Sequence, residues 1–351
     1  MNIQSWLMAA SLLSLSLSPA FASRPVAQER VEVAFVLDTT GSMADLIDGA
    51  KRKIWAIASS IVDTNPDADI AMALVAYRDR GDEYVVKATP LSEDIQGLYG
   101  KLIKLEADGG DDTPESVNEA LDKAVRGLQW TTGDNVRHII FLVGDAPPHM
   151  DYPQERQYPT ILWDAAARDI VVNAVQAGDM AETTPIWKEI AQFGHGRYIP
   201  IPQSGGPIVV IETPYDDEIL RLQGELDDTV LPYGTEEKRD GLARKMAEKS
   251  AAAPAVKIDN SSYYSKRAKV REVVTGEGDL IGDIRNDRVQ LDAVAEKDLP
   301  KTLQDMPTDR RKAWVAGQIE SRRVLDEKLA ALIAKRDAYV AMVKTKTARK
   351  D

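Results

Sequence analysis

Near-continuous apolar runs constrain this chain most. VEVAFVL (31–37), IAMALVAY (70–77), HIIFLV (138–143) and IVVNAV (170–175) are each strand-length and hardly alternate between polar and apolar residues. A strand with one wet face alternates, whereas one covered on both faces reads as an unbroken apolar stretch. Strands are therefore expected over residues 31–38, 69–77, 137–145 and 170–175, with a last one over 197–201. Helical patterns separate them. In 44–62, Leu46, Ile47, Ala50, Ile54, Ile57, Ala58 and Ile61 recur at helical spacing, and Asn65-Pro66 ends the pattern. Further helices are expected at 93–105, 114–128, 160–168 and 184–192. A short strand at 84–88, just after the Gly81-Asp82 turn, would form a hairpin and give the sheet one antiparallel edge. Strand–helix alternation of this kind specifies an α/β fold, a doubly wound and mostly parallel sheet. In such sheets ligands bind beyond the carboxyl ends of the strands.

The flanks differ from this body. Residues 1–22 read as a signal peptide: a short apolar stretch, Pro19, then Ala20-Phe21-Ala22, with cleavage expected after Ala22. The expected destination is export, to a periplasm or the exterior. No later stretch has the roughly 20 apolar residues of a spanning helix, so no membrane span is expected in the mature chain. Residues 203–306 read as a mixed, partly helical region, with an acidic helix at 215–229 and a linker at Ala251–Ala255. Residues 307–351 read as one long charged helix with a basic tail. Leu325, Leu329, Leu332, Tyr339 and Val343 approach a heptad seam, interrupted by Arg336. Two uses are open for that seam: packing on its own chain, or coiled-coil self-association or docking of a partner helix.

Charge excludes one class of partner. The net charge is −12, so nucleic acid is not an expected ligand. Residues 300–351 run against the trend, with 13 Lys or Arg against 7 Asp or Glu. There is no cysteine, which removes disulfides, thiolate nucleophiles and Cys-ligated zinc.

The chemistry lies where the apolar runs end. Asp38, Thr40 and Ser42 alternate in DTTGS, at the turn from the first strand into the first helix. A hard divalent cation takes about six oxygen ligands, and this turn supplies one carboxylate and two hydroxyls. Gly41 permits a tight turn. Two further oxygens can come from loops at the same sheet edge: Thr113 in GGDDTPES, before a helix opened by Pro114, and Asp145 after the third long strand. Asp111 and Asp112 are alternatives to Thr113 within that loop. Taken singly, Asp38 and Thr113 could be helix N-caps and Asp145 a turn residue.

Taken together, Asp38-Thr39-Thr40-Gly41-Ser42, Thr113 and Asp145 resemble the metal-ion-dependent adhesion site (MIDAS) of von Willebrand factor type A (VWA) domains, over roughly residues 30–202. The motifs occur in the family's order; Thr40 stands where many members have serine. The phrases AYRDRGDEY, GGDDTPESVNEAL and FLVGDAPPHMDY also resemble a bacterial exported subgroup of that family. The resemblance implies a Rossmann-like domain that holds Mg²⁺, with Mn²⁺ or Ca²⁺ as alternatives. It implies a protein partner whose Asp or Glu completes the metal's shell. An exported chain of this kind fits an envelope accessory or assembly factor.

An enzyme is the competing expectation, as a metal-dependent hydrolase using the same residues. A haloacid-dehalogenase-like phosphatase would need an Asp where Thr40 stands. The chain has no Walker-type phosphate loop and no HExxH. His149 and Asp151 lie close to Asp145 in sequence and could add a base or a second cation; a surface loop is the plainer expectation. Asp79 and Asp82, in YRDRGDE, are likewise expected on the surface.

Overall fold

The computed structural model describes residues 30–64, 66–110, 113–203, 211–267, 272–274, 276 and 278–348. The expected signal peptide, Asp111, Asp112 and the end of the basic tail lie outside the described residues.

A mixed, six-stranded sheet forms the centre, in the order β3-β2-β1-β4-β5-β6. Its strands are β1 (Arg30–Asp38), β2 (Asp69–Tyr77), β3 (Val86–Ser92), β4 (Val136–Gly144), β5 (Ile170–Ala177) and β6 (His195–Ile201). All neighbouring pairs run parallel except β2 with β3. The hairpin edge is thus present, but its second strand is Val86–Ser92 rather than 84–88. Tyr84 instead lies in the turn, where its hydroxyl meets the Thr39 hydroxyl at 2.8 Å.

Helices cover both faces. Trp55 and Leu46 of α1 (Ala44–Thr64) and Leu98 of α2 (Ile95–Leu102) share one core with Val31, Val33 and Leu37 of β1. Side chains of α3 (Val117–Asp122), α4 (Tyr158–Ala166) and α5 (Thr183–Phe193) share the other with Ala34 and Val36. The helix expected over 114–128 starts later, at Val117, and passes into a π-helical turn over Lys123–Gly127. Just before it, Glu115 forms an isolated parallel bridge with Pro148, which holds this stretch out of the helix.

The C-terminal extension is helical: α6 (Asp216–Asp227), α7 (Glu236–Ala251), α8 (Pro254–Lys266), α9 (Leu280–Arg285), α10 (Lys301–Gln304) and α11 (Thr308–Ala348). Only Ala252 and Ala253 separate α7 from α8, and Pro254 opens α8 at a position where its missing N–H costs nothing. α8 lies along α1. Trp55 sits among Tyr99, Tyr263 and Tyr264 at centroid distances of 5.5–6.0 Å, and Ser59 bonds Ser262 at 3.1 Å. Leu329 and Ile333 of α11 are buried with Ile219, Leu222 and Ile258, and Arg336 pairs with Asp216 at 3.1 Å. The seam of the long helix therefore packs on its own chain over this stretch. Among the described residues no helix is long and apolar enough to cross a membrane.

Candidate functional site

β1 lies between β2 and β4, so the chain leaves it toward one side and returns on the other. Asp38 is the last residue of β1, at this switch point, where a crevice opens at the carboxyl edge. Its carboxylate is fully buried. Oδ1 accepts two bonds from Thr40, from the backbone N–H at 2.9 Å and from the hydroxyl at 2.7 Å. Oδ2 is buried with the Tyr77 hydroxyl as its polar neighbour; Tyr77 acts on it, but neither atom makes a regular hydrogen bond. The Ser42 hydroxyl lies 3.3 Å from that of Thr40, on a turn of 3-10 helix. Thr39 faces the other way, donating its hydroxyl to the Tyr77 carbonyl at 2.8 Å.

Asp145 follows β4 and is also buried. The Gln203 amide joins it to the first loop, donating to Asp145 Oδ2 at 2.7 Å and to the Ser42 carbonyl at 3.1 Å. Four of the five residues expected from sequence (Asp38, Thr40, Ser42 and Asp145) are thus gathered at one edge. Thr113 is exposed, and no hydrogen bond among the described residues ties it to the other four. Its loop is nonetheless adjacent. Gly41 N–H donates to the Gly109 carbonyl at 3.0 Å, and Asp108 N–H to the Thr39 carbonyl at 3.1 Å. At Gly110, where φ is +72°, a methyl group would stand 2.7 Å from Thr40 Cβ, so only glycine allows this approach.

Three residues that the sequence reading placed elsewhere or passed over belong to this edge. Glu115 is buried, with Oε2 unpartnered. Its backbone is clamped between the Pro147 carbonyl at 2.9 Å and the His149 N–H at 3.0 Å. Asp79, expected on the surface, is buried: it accepts from the Ser116 hydroxyl at 2.7 Å and lies 3.3 Å from His149 Nε2. His149 is buried too, stacked on Tyr152 at 4.1 Å, with Nδ1 2.7 Å from Asp151. Both corrections share a cause. The bridge between Glu115 and Pro148 zips two loops together and covers them, a long-range contact with no local signature.

The electrostatics are lopsided. Burial pushes Asp38 up to about 7, and the neighbouring Asp145 charge adds to this against the bonds from Thr40 and the Tyr77 hydroxyl. Burial also pushes Glu115 up to about 9, helped by the charges of Asp38, Asp79, Asp82 and Asp145. Tyr77, buried beside them, is raised as well. None of the groups that act most strongly on Asp38 or Glu115 carries positive charge. Such an edge favours a cation, because a buried carboxylate without a partner is costly. An orphaned carboxylate oxygen, a second carboxylate and two adjacent hydroxyls suit a hard divalent ion. Among the described residues, no three His, Cys, Asp or Glu side chains are grouped to hold a metal, so hydroxyls and water would complete the shell.

A putative ariadne-like RING finger protein of Acanthamoeba polyphaga mimivirus is 30% identical over 122 residues, 35% of this chain; the chain spans only 12% of that protein's length. Among solved structures, proximal thread matrix protein 1 from the mussel byssus matches 50% of this chain and 42% of its own, at 15% identity and a TM-score of 0.36. The SpRpn10 VWA domain matches 53% of this chain and 100% of its own, at 12% identity and a TM-score of 0.37. The family described as von Willebrand factor A domain matches residues 32–209, the whole sheet with its loops. This chain belongs to the von Willebrand factor A domain family.

Proposed function

We propose that this protein is an exported binding module in which a divalent cation receives a carboxylate from a partner protein. The coarser statement follows from the family, whose fold suits a protein-interaction module. The metal-dependent part rests on one observation above the rest: Asp38 is fully buried at the switch point, its Oδ2 makes no regular hydrogen bond beside the Tyr77 hydroxyl, Asp145 lies beside it, and none of the groups that act most strongly on it is a cation. Asp38, Thr40, Ser42, Thr113 and Asp145 would hold Mg²⁺, or Mn²⁺ or Ca²⁺ in its place. The ion would supply an electrophilic position for an Asp or Glu of the partner. Export through residues 1–22 and an envelope accessory or assembly role complete the reading.

Binding is favoured over hydrolysis by the surroundings of the imidazole nearest the site. A general base must come within hydrogen-bond reach of the proton it abstracts, which asks for a nitrogen not already committed to other groups. Both nitrogens of His149 are engaged, Nδ1 by Asp151 and Nε2 by Asp79 and Tyr152. The test is a calorimetric titration of residues 23–351 with Mg²⁺ and Mn²⁺, beside Asp38→Ala and Thr113→Ala, followed by chelator-reversible capture of the partner. Uptake that Asp38→Ala loses supports the reading. Equal metal affinity in Asp38→Ala overturns it, as does metal-dependent turnover of phosphate or ester substrates.

A further inference from the structure

Glu115 is a buried carboxylate that the five-residue motif leaves unused. It lies 3% exposed, and one of its oxygens is buried without a hydrogen-bond partner. The geometry places it at the same sheet edge as Asp38 and Thr40. A methyl group built on Gly110 would meet Glu115 Oε1 at 2.9 Å and Thr40 Cβ at 2.7 Å, so both residues flank one glycine. Asp38 is the charge that acts on it most. Its position is fixed from the backbone, by the bridge to Pro148 three residues beyond Asp145. A carboxylate held rigidly in an acidic, buried place without a cationic partner has no structural function that its surroundings explain. Apolar or amide side chains would fill the space at lower electrostatic cost.

We infer that Glu115 is a positioning residue of the cation site, an outer carboxylate that accepts a hydrogen bond from a cation-bound water and lets the chain load its cation without a partner. The inference rests on the binding reading above. Mg²⁺ retains several waters in protein sites, and groups that hold such outer ligands change metal affinity about 10–100-fold.

The experiment is Mg²⁺ titration of the purified chain alone, beside Glu115→Gln, Glu115→Asp and Asp38→Ala, with melting midpoints recorded metal-free. The expected result has four parts. The parent binds Mg²⁺ without a partner. Glu115→Gln binds about 10–100-fold more weakly, and Glu115→Asp recovers part of the loss. The metal-free midpoint of Glu115→Gln is equal to or above the parent's, because an amide of the same shape fills the buried space without any charge to bury. A lowered metal-free midpoint with unchanged Mg²⁺ affinity overturns the inference by showing a structural residue. A parent that takes up no Mg²⁺ alone also overturns it. Loss in Asp38→Ala together with full retention in Glu115→Gln removes this inference while sparing the binding reading; retention in Asp38→Ala removes the binding reading itself.

Discussion

Glu32 and Asp38 stand near opposite ends of β1, and both are fully buried. Their surroundings differ in every other respect. Glu32 accepts from Arg30 Nε at 2.7 Å, from the Thr131 hydroxyl at 2.6 Å and from the Thr131 N–H at 2.9 Å, with His138 3.7 Å away. Burial pushes Glu32 up, yet the bonds from Thr131 and Arg30 outweigh it and hold it below the usual glutamate range. Asp38 has Thr40 on one oxygen, the Tyr77 hydroxyl near the other without a regular hydrogen bond, and a like-charged neighbour, and it is raised to about 7. One strand thus carries a carboxylate whose needs are met within the fold and another whose needs are not. Burial alone does not mark a functional acid; burial with missing donors does.

Replacing each acid should have opposite effects, which is the sharpest way to break this contrast. Glu32→Ala strands the Thr131 donors and Arg30 and should cost about 2–4 kcal/mol of stability in a denaturant titration. A cost below about 0.5 kcal/mol would mean that Glu32 is no better satisfied than Asp38. Next comes Gly144→Ala, whose methyl group would stand 2.4 Å from the Tyr77 hydroxyl and 3.1 Å from Asp38 Oδ2. It should cost about 1–3 kcal/mol and weaken Mg²⁺ uptake, both readable in one metal titration of melting curves. Asp38→Asn should leave the metal-free chain as stable as the parent or up to about 1 kcal/mol more so at pH 7.5. Gln203→Ala, at the rim, should shift stability by less than about 0.5 kcal/mol, measured by the same denaturant titration.

Acidity gives a second handle on the same pair. The folded-state value of Asp38, about 7, lies above that of an unfolded aspartate, so between roughly pH 4 and 7 the folded chain holds a proton that the unfolded chain has lost. Its contribution is full below that window and is lost as pH rises through about 7. Glu32 has the opposite sign: its stabilisation is present above the usual glutamate range and fades as pH falls through its lowered value. Melting midpoints of the metal-free chain across pH should show both limbs; Asp38→Asn should shrink the first without abolishing it, because Glu115, held at about 9, adds a loss of the same sign.

How legible each part was follows from the range of the contacts that make it. The apolar runs located the central strands of the sheet, because a strand covered on both faces carries its environment in its own composition. Asp38, Thr40 and Ser42 were legible because all three lie on one turn. Glu115, Asp79 and His149 were not, since their burial comes from a bridge between loops some thirty residues apart in the chain. Trp55 was missed as core because its cover, Tyr263 and Tyr264 on α8, comes from the C-terminal extension. Of the metal motif, Thr113 alone is not hydrogen-bonded into the group among the described residues, and its two preceding acidic neighbours lie outside them.

The most direct measurement is thermal unfolding of the chain and of Asp38→Asn at pH 7.5, with and without millimolar Mg²⁺. Mass action ties any such shift to preferential binding by the folded state. A Mg²⁺-induced rise in the parent that is absent from Asp38→Asn, with metal-free midpoints equal or higher in the variant, is the predicted result. A parent midpoint indifferent to Mg²⁺, or the same rise in both proteins, contradicts the claim that Asp38 is a buried acid completed by a cation.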